Sequence, residues 1–145
     1  MKFAFITVVC AGTANAQTTM QDVMKWTKAP YGESCSSQCT ALGRTCNAAA
    51  EERLNAVTTG DVFQDVNTAL KTGGQAAGFA CTAYTTSFVS YAPVWSSNGG
   101  CYPTKTPSST PSTCGATSGS TYQRLCCCLD PSDAAASTVC ATSAA

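Results

Sequence analysis

Apolar residues recur every three to four positions in the first half of the chain and lose that rhythm in the second. Met20, Val23, Met24 and Thr27 lie at helical spacing, which predicts a short amphipathic helix running to about Lys28 and ended by Ala29-Pro30. Ser34 is placed to cap a second helix over Cys35–Leu42, stopped by Gly43. Asn47 heads a third, AAAEERLNAV, and Asp61 a fourth, VFQDVNTALK. In the fourth, Phe63, Val66 and Leu70 make one core stripe before Gly73-Gly74 closes the helix. From Gly78 onward, FACTAYTTSFVSYAPVW is rich in aromatic and β-branched residues but is interrupted by Pro93, which predicts one short strand followed by loop. Tyr102–Thr121 is a Pro/Ser/Thr/Gly segment of the kind that resists packing, its ends tied by cysteines and its composition leaving O-glycosylation open. The expected fold is a small disulfide-rich α+β domain, with short helices in the N-terminal half and short strands and long irregular loops in the C-terminal half.

The start of the chain changes what its cysteines mean. MKFAFITVVCAGTANA has a charged Lys2, a short apolar run and a small-x-small site at Ala14-Asn15-Ala16, so residues 1–16 read as a secretory signal peptide and 17–145 as a single disulfide-stabilised domain. The apolar run is too short to span a membrane, and STVCATSAA at the other end lacks the tail of a lipid-anchor signal. The expected location is secreted or extracellular, with the Golgi lumen as the alternative, and no membrane anchor. Of eleven cysteines Cys10 falls in the leader, which leaves ten: Cys35, Cys39, Cys46, Cys81, Cys101, Cys114, Cys126, Cys127, Cys128 and Cys140. An even set in an oxidising compartment implies up to five bridges of unspecified connectivity. A zinc site is the competing use of thiolates, but the chain has no histidine, and no metal or other cofactor is expected. Without Lys2 there are seven basic and eight acidic residues, with no basic stripe, which argues against nucleic acid as a partner.

Three adjacent cysteines, Cys126, Cys127 and Cys128, follow the strand-like TYQRL. Alternation sends Cys126 and Cys128 to one face and Cys127 to the other, and neighbouring cysteines are poorly placed to bridge one another. Three segments should therefore converge on one short strand, with Cys35, Cys39, Cys46 and the tail residue Cys140 as candidate partners. Cys35 and Cys39, four apart on one helical face, suit bridges to distant segments better than to each other.

In order along the chain these residues resemble the cysteine-rich C-terminal region of the α-1,6-mannosylglycoprotein 6-β-N-acetylglucosaminyltransferase family, over about residues 30–140. That region opens Gly-x-Ser-Cys-x3-Cys, as Gly32, Ser34, Cys35 and Cys39 do here. Cys46, Cys81, Tyr91-Ala92-Pro93, Cys101-Tyr102 and Cys114 follow, and an Arg-Leu-Cys-Pro-Cys signature is matched by Arg124, Leu125, Cys126 and Cys128. Cys127 replaces the proline, and the departure implies an additional bridge, to Cys140. The resemblance implies N-acetylglucosaminyl transfer only for an enzyme with a large upstream α/β region, and about 129 residues without alternating β/α pattern cannot supply that region. No catalytic residue is carried over.

A search for chemistry among the residues leads the same way. Without histidine there is no Ser-His-Asp or Cys-His arrangement. Glu51 and Glu52 diverge by about 100° on a helix, unlike a glycosidase pair. Asp61 and Asp65 share a face but read as a cap and a solvated residue. Aromatic residues remain. Tyr91, Trp95 and Tyr102, with Tyr84 nearby, cluster near loops and suit stacking on sugar rings or proline-rich chains, though a Trp beside a bridge is also ordinary core, and Trp26 reads equally as interface or lid. The expectation is a secreted, cysteine-rich, non-catalytic module that binds glycan or an extracellular protein, or serves as a structural unit, with Tyr91, Trp95 and Tyr102 as ligand-stacking candidates. The alternative is an accessory or fragment related to the branching transferase. The oligomeric state is not readable.

Overall fold

The computed structural model describes residues 26–72, 78–87, 89–105 and 111–130. Among them are three helices, α1 (Cys35–Ala41), α2 (Ala48–Ala56) and α3 (Gly60–Thr72), and five strands, β1 (Trp26–Lys28), β2 (Ala83–Tyr84), β3 (Val94–Ser96), β4 (Gly100–Tyr102) and β5 (Tyr122–Cys127). The strands form one sheet in the order β1-β5-β3-β4-β2, antiparallel except where β2 runs parallel to β4. The disulfide-rich α+β class is thus the fold of this chain.

Caps fix the helices where the sequence places them, with one exception. Ser34 accepts the Ser37 N–H at 3.1 Å, and Asn47 Oδ1 accepts those of Ala49 and Ala50. Gly43, at φ +68°, turns the chain out of α1 so that the Arg44 N–H reaches the Cys39 carbonyl. α3 begins earlier than expected. Thr59, not Asp61, accepts the Val62 N–H, and Asp61 sits in the first turn, where its charge faces the positive helix end. The Phe63, Val66 and Leu70 stripe is buried as expected, while its closure at Gly73-Gly74 lies outside the described residues.

The first predicted helix is corrected over its last turn. Trp26–Lys28 is a strand, Trp26 lying opposite Cys127 and Lys28 opposite Leu125. Trp26 and the adjacent Thr27 point to opposite faces, and both are buried, which a one-sided helix stripe does not achieve. The rest of that prediction lies outside the described residues. The second half is also more ordered than its composition suggests: three strands replace the expected one, and Thr104, Ser112 and Ser118 of the Ser/Thr/Pro segment are buried.

Register shows how the sheet separates its two faces. Arg124, Cys126 and Cys128 point toward α1 and α2, together with Val94, Ser96 and Tyr102 of the neighbouring strands. Gln123, Leu125 and Cys127 point the other way, with Trp95, Cys101, Trp26 and Lys28, toward Phe79 and α3. Cys35–Cys126 and Cys39–Cys128 staple α1 to β5 at Cα separations of 5.3 and 5.2 Å. Two rungs fit because four helical residues rise about 6 Å and two strand residues advance about 6.7 Å. Cys46 is not a partner of the triple: it pairs with Cys114, and Cys81 pairs with Cys101. Cys127 is disulfide-bonded as well, and its expected pairing with Cys140 lies outside the described residues.

Candidate ligand-binding face

The three aromatic residues singled out in the sequence do not form one platform. Trp95, in the middle of β3, faces α3. Its indole lies on Phe79 with centroids 5.8 Å apart and planes at 18°, and its Nε1–H donates to the Ala80 carbonyl at 3.2 Å. Phe79 is itself held from α3, where the buried Asn67 donates to its carbonyl at 2.8 Å and accepts its N–H at 2.6 Å. The ammonium of Lys28 sits 5.4 Å from the Phe79 centroid. Beside the half-buried Trp95, 6.0 Å between centroids, stands Tyr31, which is 45 % exposed.

Tyr102 is next to the Trp95 partner Cys101 in β4 and therefore points from the opposite face of the sheet. There it meets Tyr122 edge-on at 6.1 Å, and Tyr122 in turn lies 6.0 Å from Tyr91. Of the other aromatics, Tyr84 packs against Phe63 of α3, and Trp26, at 2 % exposure, is core. Tyr31 was not among the sequence candidates. Its signal was local: a large aromatic inside the turn-forming Pro30-Tyr31-Gly32, where nothing apolar flanks it to form a core stripe.

Between the tyrosine cluster and the helices lies Arg124, whose side chain makes four hydrogen bonds. Arg124 is 0 % exposed. Its guanidinium donates to the carbonyls of Tyr91 (2.9 Å), Thr113 (2.9 Å) and Ala116 (2.6 Å) and to Ser112 Oγ (3.0 Å). Burial lowers its pKa to about 10, and the nearby Glu51 carboxylate pulls in the opposite direction. The segment it gathers is also gripped from α2, where Asn55 exchanges hydrogen bonds with Ser112 and Glu51 accepts the Cys114 N–H at 2.8 Å. A shallow groove of about 520 Å³ runs beside that grip, but Glu51 and Asn55 on its wall are committed to holding the segment in place. Glu52 lines the same groove as Glu51, and both Glu52 and Asp65 are exposed.

Charge is sparse along the span that supplies most of these aromatics, although Lys28 and Glu33 flank Tyr31 in the sequence. From Thr72 to Gln123 the sequence has one charged residue, Lys105, and this span supplies Phe79, Tyr84, Tyr91, Trp95, Tyr102 and Tyr122. Around them stand neutral hydroxyl and amide groups such as Ser97, Asn98 and Thr121, all exposed. Among the described residues no cluster of His, Cys, Asp and Glu is arranged to hold a metal, and no helix is long and apolar enough to cross a membrane. Comparison with protein-family models and with characterised proteins finds no match for the chain.

Proposed function

We propose that the protein is a secreted, disulfide-stapled module, without catalysis of its own, that binds neutral glycan through its Tyr31–Trp95 face. The observation that carries this reading is Tyr31, an exposed ring set beside a Trp that is braced from behind by Phe79 and Asn67. A braced aromatic surface loses little freedom on binding, and the apolar face of a pyranose laid on it leaves water at about 25 cal/mol per Å². The hydroxyl and amide groups nearby, Ser97, Asn98 and Thr121, can exchange hydrogen bonds with sugar hydroxyls. Four described disulfides, with Cys127 bridged as well, support an oxidising compartment.

The test is binding of wild type, Tyr31→Ala and Trp95→Ala to arrayed neutral and acidic oligosaccharides, with thermal melts of all three. Neutral glycans should be retained by wild type, and Tyr31→Ala should bind about tenfold more weakly with an unchanged melt. Retention of no glycan, or binding indifferent to both substitutions, would sink the proposal.

A second reading, kinship with the cysteine-rich region of the branching transferases and a place in the Golgi lumen, draws support from one observation. Seven of the residues that carry the resemblance, Ser34, Cys35, Cys39, Arg124, Leu125, Cys126 and Cys128, come together in or beside the α1–β5 staple. Turnover of UDP-N-acetylglucosamine with a biantennary acceptor would favour this reading and end the non-catalytic one.

A further inference from the structure

The tyrosines on the far side of the sheet have a geometry that core packing does not require. Tyr102 lies folded back along its own strand over Gly100: a Cβ at that glycine would stand 2.7 Å from the Tyr102 hydroxyl oxygen and 2.9 Å from the ring. Only hydrogen at this position lets the ring lie down on the sheet. One ring face is thereby turned to the backbone and the other away from it. Tyr122, in the same row of the sheet as Gly100 and Ser96, stands edge-on to Tyr102, and Tyr91 flanks it. All three rings are partly exposed, while Ser96 beneath them is buried. α1 and α2 cover this face over Cys126, Cys128 and Arg124, and the end of α2 bonds Thr104 through the Leu54 and Val57 carbonyls. The chain segments that border the tyrosines, 89–104 and 111–123, contain no charged residue.

We infer that Tyr91, Tyr102 and Tyr122 form a second saccharide site, on the opposite face from Tyr31 and Trp95, so that one molecule joins two neutral glycan chains. The inference rests on the glycan-binding reading of the first face, and it commits to the same class of ligand because the segments bordering the three tyrosines are uncharged and hydroxyl-rich. A charged partner would have no counter-charge here.

The experiment is equilibrium titration of the full chain with neutral hexasaccharides (β-1,3-glucan, β-1,4-glucan, β-1,4-linked N-acetylglucosamine and α-mannan). It uses wild type, Tyr31→Ala, Tyr102→Ala, Gly100→Ala and the Tyr31→Ala/Tyr102→Ala double variant, with sedimentation of each free protein. Two equivalents per wild-type chain are expected, one in either single tyrosine variant and none in the double variant. Gly100→Ala should weaken the second equivalent about tenfold while leaving the first unchanged, because it lifts the Tyr102 ring without removing it. A single equivalent lost with Tyr31→Ala overturns the second site and leaves the first standing. No binding by wild type overturns both. Self-association of the free protein that Tyr102→Ala abolishes would show that this face meets another copy, and would also overturn the inference.

Discussion

At the scale of single residues, Arg124 sets a balance between two opposing terms. Burying a guanidinium is costly, as its lowered pKa of about 10 reflects, yet it is the donor to three carbonyls and a hydroxyl on separate turns. Arg124→Met removes the first term and strands four acceptors, so the loss should dominate, at roughly 3–5 kcal/mol in urea unfolding. Arg124→Lys should recover little of it, since an ammonium presents its donors at one point and not as a planar fork. The pH dependence follows from the sign of the shift. The unfolded guanidinium keeps its proton up to its ordinary, higher pKa, and the folded one gives it up near 10. Between these values the unfolded state binds more protons, so wild-type stability rises with pH. The gap between wild type and Arg124→Met should therefore be constant from about pH 5 to 9 and begin to widen above about pH 10. None of this was legible in the sequence, where Arg124 is one ordinary basic residue in a strand. Its burial depends on acceptors supplied by Tyr91, Ser112, Thr113 and Ala116, which no local pattern connects to it. Tyr31 escaped for the converse reason: exposure in a turn leaves no periodic trace.

At the scale of elements, the α1–β5 staple makes its two bridges unequal partners in succession. With Cys35–Cys126 intact, Cys39–Cys128 closes a ring of only about eight residues, and chain entropy gives it about 2.5 kcal/mol. Once either rung is gone the other closes, by way of the Cys46–Cys114 bridge, a ring of about 24 residues, worth about 3.4 kcal/mol. A cycle of paired Cys→Ala variants followed by urea unfolding should thus show a first loss of about 2.5 kcal/mol and a second about 1 kcal/mol larger, whichever rung goes first. Equal losses would mean that the bridges act through strain or packing and not through the unfolded chain. The elements behind this prediction were largely readable. Ser34 and Asn47 announce their helices because capping is a short-range bond between a side chain and the next turn, and Cys126 and Cys128 share a face because strand alternation is strict. What failed was non-local. Trp26–Lys28 has helical spacing yet completes the edge of β5, and β2, β3 and β4 are two or three residues long, held by a register with distant strands that composition does not encode.

At the scale of the molecule, the four disulfides between described residues divide by burial into an inner and an outer pair, and this division decides how the protein comes apart. All four cysteines of the two rungs are fully buried, whereas Cys46 and Cys81 are partly exposed at one end of their bridges. Thiol–disulfide exchange needs a thiolate in line with a sulfur, so access orders the reaction when the fold is intact. The outer bridges also differ in what backs them. The Cys46–Cys114 segment is gripped in addition by Arg124, Asn55 and Glu51, so its opening should leave that segment in place. Cys81–Cys101 anchors the segment after Phe79, the brace beneath Trp95. Dithiothreitol titrated into the native protein, with alkylation and mass mapping at each step, should label Cys46, Cys81, Cys101 and Cys114 before Cys35, Cys39, Cys126 or Cys128. Tryptophan emission should shift when Cys81 and Cys101 are labelled and stay constant through the labelling of Cys46 and Cys114. The rung cysteines should become reactive only with global unfolding, in one step. Early labelling of Cys126 or Cys128 in otherwise native protein would show that the staple opens on its own, and the helix it holds would then be a mobile flap and not part of the rigid frame.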